Sequence, residues 1–168
     1  MAEIVRHLSQ SDITTVLSIL NEISVFAGLS RNQLDSLLSL LEKVEYSKEQ
    51  IIFEEGDKPD NIYVVKSGRV KLVVNRHETP LELIVFGPGA LFGEASVIGI
   101  QPHSATAIAI EPVELIVLSR QSLLSLYESD IQLYCVLLLN IAREVCRRLH
   151  RSDEILLHYI RRKEGGSQ

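Results

Sequence analysis

The apolar positions of this chain change period twice. Ile13, Val16, Leu17, Leu20 and Ile23 recur at intervals of three and four, which places them on one face of an amphipathic helix opened by Ser11 or Asp12. A second helix follows, with Ser30 and Gln33 as a capping box and Leu34, Leu37, Leu38 and Leu41 as its apolar stripe. From Val44 to about residue 118 the pattern becomes that of short strands: IIF, NIYVV, RVKLVV, LELIVF, ATAIAI and VELIVL, separated by EEGDKPD, KSG, NRHETP, GPG and EP. The glycines and prolines of these joints permit tight turns or end strand pairing, so the pattern predicts an antiparallel sandwich or jelly roll and not a parallel sheet. One stretch breaks the rhythm. Gly93 to Ile98 fits a short helix inserted between two strands, with Gly93 relaxing its start and Glu94 in its first turn.

Beyond the strands the helical period returns. Ser119 caps a short helix carrying Leu123, Leu124 and Tyr127, and Ser129 or Asp130 opens a long one. Within it Cys135, Leu138, Ala142, Val145, Leu149, Ser152, Leu156 and Tyr159 are spaced alternately by three and four, the seam of a coiled coil. The segment YCVLLLNIA is apolar on nearly every side, which suits a helix that packs on its own domain with one face and on a second copy with another. A parallel homodimer is therefore expected. The organisation reads as a helical segment at 1–43, a jelly roll at 44–118, C-terminal helices at 119–163 and a flexible tail at 164–168.

Composition narrows this picture. With 168 residues and 46% hydrophobic content the chain can bury one sizeable core. The N-terminus has no apolar signal region and no run approaches a bilayer span, so a soluble, cytoplasmic protein with no membrane partner is expected. The net charge of -5 hides an asymmetry: residues 1–130 hold 10 basic and 18 acidic side chains, the remainder 7 and 4. Arg143, Arg147, Arg148 and Arg151 recur at helical spacing, with Glu144 four residues before Arg148, and read as a solvated face. Cys135 and Cys146 lie eleven residues apart on one helix, too far for an intrachain disulfide, and are expected as buried free thiols. The five histidines show no metal-ligand spacing and no nucleophile has an adjacent base, so neither a metal site nor an enzyme is expected.

Candidate chemistry concentrates in FGEASVIGIQPHSAT, Phe92 to Thr106. Together with FAGLSRNQL, IIFEEGDKPDNIYVVKSGRVKL, FGPGALFGEASVIG and the RRLHRSDE of the long helix, in that order and spacing, it resembles the cyclic nucleotide-binding domain family, in particular its catabolite-activator-like branch. The resemblance implies an antiparallel jelly roll, the cupin-like double-stranded β-helix, with two N-terminal helices and a long C-terminal dimerisation helix. It implies that residues 92–106 form a phosphate-binding cassette: Gly93 lets the backbone approach a nucleotide, Glu94 accepts the ribose 2′-hydroxyl, and Ala95, Ser96 and Ser104 line the site. By the same likeness Arg148 faces Glu94 and the ribose or phosphate, with pairing to Glu144 as the ordinary alternative. Ser152 and Asp153 read the base across the dimer. The implied ligand is cAMP or cGMP, and no cofactor is implied.

The sequence departs from the family pattern at two positions. Ala95 replaces a bulky apolar residue, and His103 stands where an arginine meets the cyclic phosphate. Imidazole has a pKa near 6.5 and one donor when neutral, so losing the guanidinium is expected to cost roughly 2–5 kcal/mol of affinity, partly recovered where bound phosphate favours imidazolium. Two functions fit: a dimeric cyclic-nucleotide sensor with a weakened phosphate site, or a degenerate domain that keeps the fold as an interaction and dimerisation module for a downstream protein partner. Only EGGSQ follows Lys163, so DNA reading by this chain alone is not expected.

Overall fold

NIYVV and VELIVL lack the polar alternation of a half-solvated strand. The computed structural model, which describes residues 3–5 and 24–165, shows both covered on two sides. One sheet contains β1 (Glu3–Val5), β2 (Leu41–Tyr46), β4 (Asn61–Ser67), β7 (Leu91–Phe92) and β9 (Val113–Ser119), in the order β1-β2-β9-β4-β7. The second contains β3 (Ile51–Phe53), β5 (Val70–Val74), β6 (Leu81–Phe86) and β8 (Thr106–Ala109), in the order β3-β8-β5-β6. All their pairings are antiparallel, and the two sheets face each other as a jelly roll. Tyr63 and Val65 of β4 and Leu115 and Val117 of β9 point between the sheets, where they meet Phe53, Phe86 and Phe92. Their neighbours Ile62, Val64, Ile116 and Leu118 point the other way, onto helices. Period-two alternation is present in both strands, but each face has an apolar cover.

The helices are α1 (Arg31–Leu38), α2 (Glu94–Gly99), α3 (Arg120–Ser129) and α4 (Ile131–Gly165), with a 3-10 turn at Ser24–Phe26. Leu133, Leu137 and Ile141 of α4 are fully buried against β4, β9 and the 3-10 turn, each burial contributing about 1.5–3 kcal/mol. A buried polar clamp adds direction: Asn140 Nδ2 donates to the carbonyls of Val25 and Ala27, both at 2.9 Å, and Arg143 Nη1 donates to Asn140 Oδ1 at 2.9 Å. Asp130 Oδ1 caps α4 by accepting from Leu133 N at 2.9 Å, and Ser119 caps α3 by accepting from Ser122 N at 2.9 Å.

Several expectations need correction. The helix expected at Ile13 to Ile23, with its cap at Ser11 or Asp12, lies outside the described residues. The capping box at Ser30 and Gln33 is present, but α1 ends at Leu38 and Leu41 opens β2, so the strands begin before Val44. Leu41 continues the spacing of Leu37 because both fill the same core, one from the helix and one from the strand. Strands β1 and β7 were not anticipated; they are three and two residues long and carry no readable period. On α3 the buried pair is Leu123 and Leu126, while Leu124 and Tyr127 are exposed. Cys135 and Cys146 are exposed free thiols, not buried ones, because the stripe packed on the domain runs through Leu133, Leu137 and Ile141. Helix α4 extends to Gly165, two residues into the segment expected as a tail. No described helix is long and apolar enough to cross a membrane.

Gly93 joins β7 to α2 at φ 82°, and a Cβ there would lie 2.9 Å from the Asn61 carbonyl oxygen and 3.2 Å from Tyr63 Cδ2. Gly56 has a similar φ of +91° with nothing within 4 Å. Gly93→Ala is therefore expected to cost about 2–4 kcal/mol in urea unfolding, from left-handed strain plus overpacking, and Gly56→Ala about 1–2. Equal costs would show that the close approach at Gly93 relaxes freely.

Candidate functional site

The strand end that precedes the site is held by ring packing. Phe92 is fully buried, with its ring centroid 5.1 Å from that of Tyr63 and 5.5 Å from that of Phe86. The turn at Gly93 then places Glu94 as the first residue of α2 with only 1% exposure. Arg148 reaches it from the long helix. Its Nη1 donates to Glu94 Oε1 and, at 3.3 Å, to the Leu91 carbonyl, while Cζ stands 5.2 Å from the Phe86 ring centroid. The second carboxylate oxygen, Glu94 Oε2, is buried and has no hydrogen-bond partner. Burial pushes the Glu94 carboxyl above the usual carboxylate range, and the Arg148 charge, together with the nearby backbone N–H groups of Glu94 and Ala95, opposes that shift. An unpaired buried acceptor costs roughly 1–3 kcal/mol, so this oxygen is set to receive a donor.

His103 forms the opposite wall. It is 5% exposed, and its ring stacks on Phe53 with centroids 3.7 Å apart and planes 11° apart. Its main chain is fixed as well: His103 N donates to the Asp57 carbonyl at 3.0 Å and Gly56 N donates to the His103 carbonyl at 2.8 Å. Burial pulls the imidazole below its usual pKa, with Asp57 and Asp60 acting against the shift, so the ring is neutral at pH 7.

Gly93, Glu94, Ala95, Ser96, His103, Ser104 and Arg148 therefore line one cleft, completed by Phe53, Leu72 and Ala105. Its volume is about 70 Å³, against roughly 300–1,000 Å³ for ordinary small-molecule sites. Shallow clefts of about 300–340 Å³ occur elsewhere on the surface. The small one is the candidate, because among the described residues it alone holds a buried side-chain oxygen without a partner. Ser152 and Asp153 are not brought into it: both are exposed one turn beyond Arg148, and Ser152 Oγ donates to the Arg148 carbonyl at 3.0 Å. Arg148 does not lie on the solvated arginine face, since Glu144 pairs with Arg147 at 2.5 Å and Arg148 pairs with Glu94. Phe53, Phe86, Asp57 and Asp60 were not singled out from the sequence. Phe53 and Phe86 are the buried last residues of β3 and β6, whose other residues are half-buried or exposed, and nothing local marks them as neighbours of a ligand.

Removing one partner of a buried ion pair leaves the other charge uncompensated, at a cost of about 3–5 kcal/mol for a fully buried pair. Arg148 is 31% exposed, so water recovers part of this. In urea unfolding Arg148→Ala is expected to cost about 2–3 kcal/mol, and Arg147→Ala, on an exposed pair, under about 1. A double-mutant cycle with Glu94→Gln should return most of the difference, and an Arg148 cost no larger than that of Arg147 would contradict the geometry.

Residues 43–130 match the family model described as the cyclic nucleotide-binding domain. The cyclic AMP receptor protein of Thermus thermophilus is 35% identical over 132 residues, covering 77% of this chain and 58% of that protein. A cGMP-dependent protein kinase of Caenorhabditis elegans is 28% identical over 122 residues, covering 71% of this chain and 16% of that protein. The chain thus spans less than two thirds of these relatives' length. Among solved structures, the Thermus thermophilus catabolite activator protein superposes with a TM-score of 0.69 at 33% identity, covering 79% of this chain and 61% of that one. A cyclic nucleotide-binding domain from Methylobacillus flagellatus reaches a TM-score of 0.81 over 94% of this chain and 89% of its own, at 24% identity, which speaks to the fold. With its antiparallel jelly roll and a family-model match over residues 43–130, the chain belongs to the cyclic nucleotide-binding domain family.

Proposed function

We propose that this chain is a dimeric regulatory domain that senses a cyclic nucleotide, cAMP or cGMP, and transmits its binding through α4. The observation that carries this reading is Glu94 Oε2, a buried acceptor without a donor beside a guanidinium. A ribose 2′-hydroxyl supplies that donor. Arg148 and the Ser104 hydroxyl then meet the cyclic phosphate, and His103 occupies the position that an arginine holds in the family. Because a neutral imidazole brings no charge to that contact, affinity is lower by roughly 2–5 kcal/mol than with a guanidinium there. The relatives named for cAMP and cGMP support the ligand class.

The dimer rests on the outer face of α4. Leu149, Leu156 and Tyr159 are 60%, 57% and 60% exposed, Cys135 is exposed and Leu138 is half-buried, while Leu133, Leu137, Ile141 and, contrary to its place in the heptad, Val145 pack on the domain's own core. Exposed apolar residues at this spacing are what a second α4 covers in a parallel pair. In that arrangement Ser152 and Asp153, which lie outside their own chain's cleft, approach the base held by the second copy. A ligand that pulls on Glu94 and Arg148 shifts the helix on which the dimer turns. The function is regulatory and not catalytic.

The second reading, a module that has kept fold and dimer without the nucleotide, is favoured by one feature: the cleft of about 70 Å³ is too small for a nucleotide unless Arg148 moves. Titration calorimetry at pH 7.5 separates the two. The sensor reading expects weak binding of cAMP or cGMP by the wild type, at least about 30-fold tighter binding by His103→Arg, and loss of binding in Glu94→Ala. Absence of binding at millimolar ligand in both the wild type and His103→Arg would establish the second reading. Independently, sedimentation should give a dimer at tens of micromolar that Leu149→Asp dissociates, and a monomer in both cases would remove the role of the seam.

A further inference from the structure

The charges that face the cleft favour a cation, yet the ligand class is anionic. Glu94 faces it from α2, Asp57 and Asp60 stand near His103 from the loop between β3 and β4, and Arg148 is the one permanent cation among its lining residues. Arg148 is already committed to Glu94 and to the Leu91 carbonyl. Arg76, on the loop after β5, is held by Glu54 at 2.7 Å. Glu55 is turned away, accepting from Asn75 N through its Oε2 at 3.3 Å. An anion entering this cleft therefore meets carboxylates and a single guanidinium that is already engaged. The remaining group able to supply charge is His103, and its ring lies flat on Phe53, where a protonated imidazole gains a cation–π contact without moving.

We propose that His103 makes ligand binding proton-coupled: the cyclic phosphate enters together with one proton taken up on the imidazole, so the pocket responds to nucleotide and acidity jointly. This rests on the sensor reading above. In the free protein, burial holds the imidazole neutral against the pull of Asp57 and Asp60. A bound phosphate reverses the preference, because an opposite charge in contact raises the proton affinity of a base. The sign follows by linkage. Affinity is highest below the free-state pKa, falls about tenfold per pH unit between the free-state and bound-state values, and is flat and weak above the latter. Since the free-state value lies under the ordinary 6.5, the fall begins in the mildly acidic range. His103 thus acts as a specificity-determining residue, one that admits a monoanionic phosphate only when protonated.

The test is calorimetric titration of the full chain with cAMP and cGMP from pH 5.5 to 8.5, each point repeated in two buffers of different ionisation enthalpy. The wild type should bind at least about tenfold more tightly at pH 6 than at pH 8, with buffer-dependent heats giving proton uptake that approaches one per site. His103→Arg should bind with no such pH dependence and no uptake, and His103→Gln should stay weak at every pH. Wild-type binding that is equal at pH 6 and pH 8 without uptake would overturn the coupling and leave the sensor reading standing. A pH dependence that persists in His103→Arg would also overturn it, by placing the proton elsewhere. Failure of both the wild type and His103→Arg to bind at any pH would overturn the coupling and the sensor reading together.

Discussion

The contact between Glu94 and Arg148 ties together parts of the chain 54 residues apart, and the site depends on it. Burying a carboxylate costs several kcal/mol, and a guanidinium from another element offsets that cost only if both backbones are held still. The jelly roll holds the first through Phe92, Tyr63 and Phe86. The helical core holds the second through Leu133, Leu137, Ile141 and the Asn140 clamp. The pair is therefore a weak source of stability and a strong source of position. It leaves Oε2 without a partner, and it keeps the cleft small because Arg148 is among its lining residues.

From this constraint the proposed mechanism follows. A ligand that donates to Glu94 Oε2 and draws on Arg148 cannot enter without disturbing the ion pair between cassette and long helix. Helix α4 presents its inner stripe to the domain and its outer stripe to solvent, so in the proposed dimer a change at Arg148 would be felt on the face offered to a second copy. The chemistry at the other wall is less favourable. His103 brings a neutral, stacked ring where a fixed charge would be expected, and the nearby Asp57 and Asp60 make an unprotonated cleft inhospitable to an anion.

Much of this was legible in the chain because it rests on local rules. The short apolar runs, the capping box at Ser30 and Gln33 and the break at Gly93 each have a cause within a few residues. The losses came where tertiary packing overrides period. Leu41 looks helical because it shares a core with Leu37, although it begins a strand. Cys135 and Cys146 sit in an apolar-looking helix but on its uncovered side. Gly93, Glu94, His103 and Ser104 were implied by the family resemblance of one segment and Arg148 by that of a distant helix, and the fold brings all five to one cleft. Phe53 could not be found in this way, since stacking on His103 joins residues fifty apart through the sheet pairing of β3 with β8. Ser152 and Asp153, which the same resemblance implied as base-reading residues, stand outside the cleft and are exposed.

The most direct measurement is a crystal structure of the chain with cAMP grown at mildly acidic pH. The account requires the ribose 2′-hydroxyl within hydrogen-bond distance of Glu94 Oε2, the guanidinium of Arg148 shared with the ligand, and the His103 ring still stacked on Phe53 with a nitrogen on the phosphate. A ligand bound elsewhere, with the pair of Glu94 and Arg148 undisturbed and Oε2 still without a donor, would contradict it.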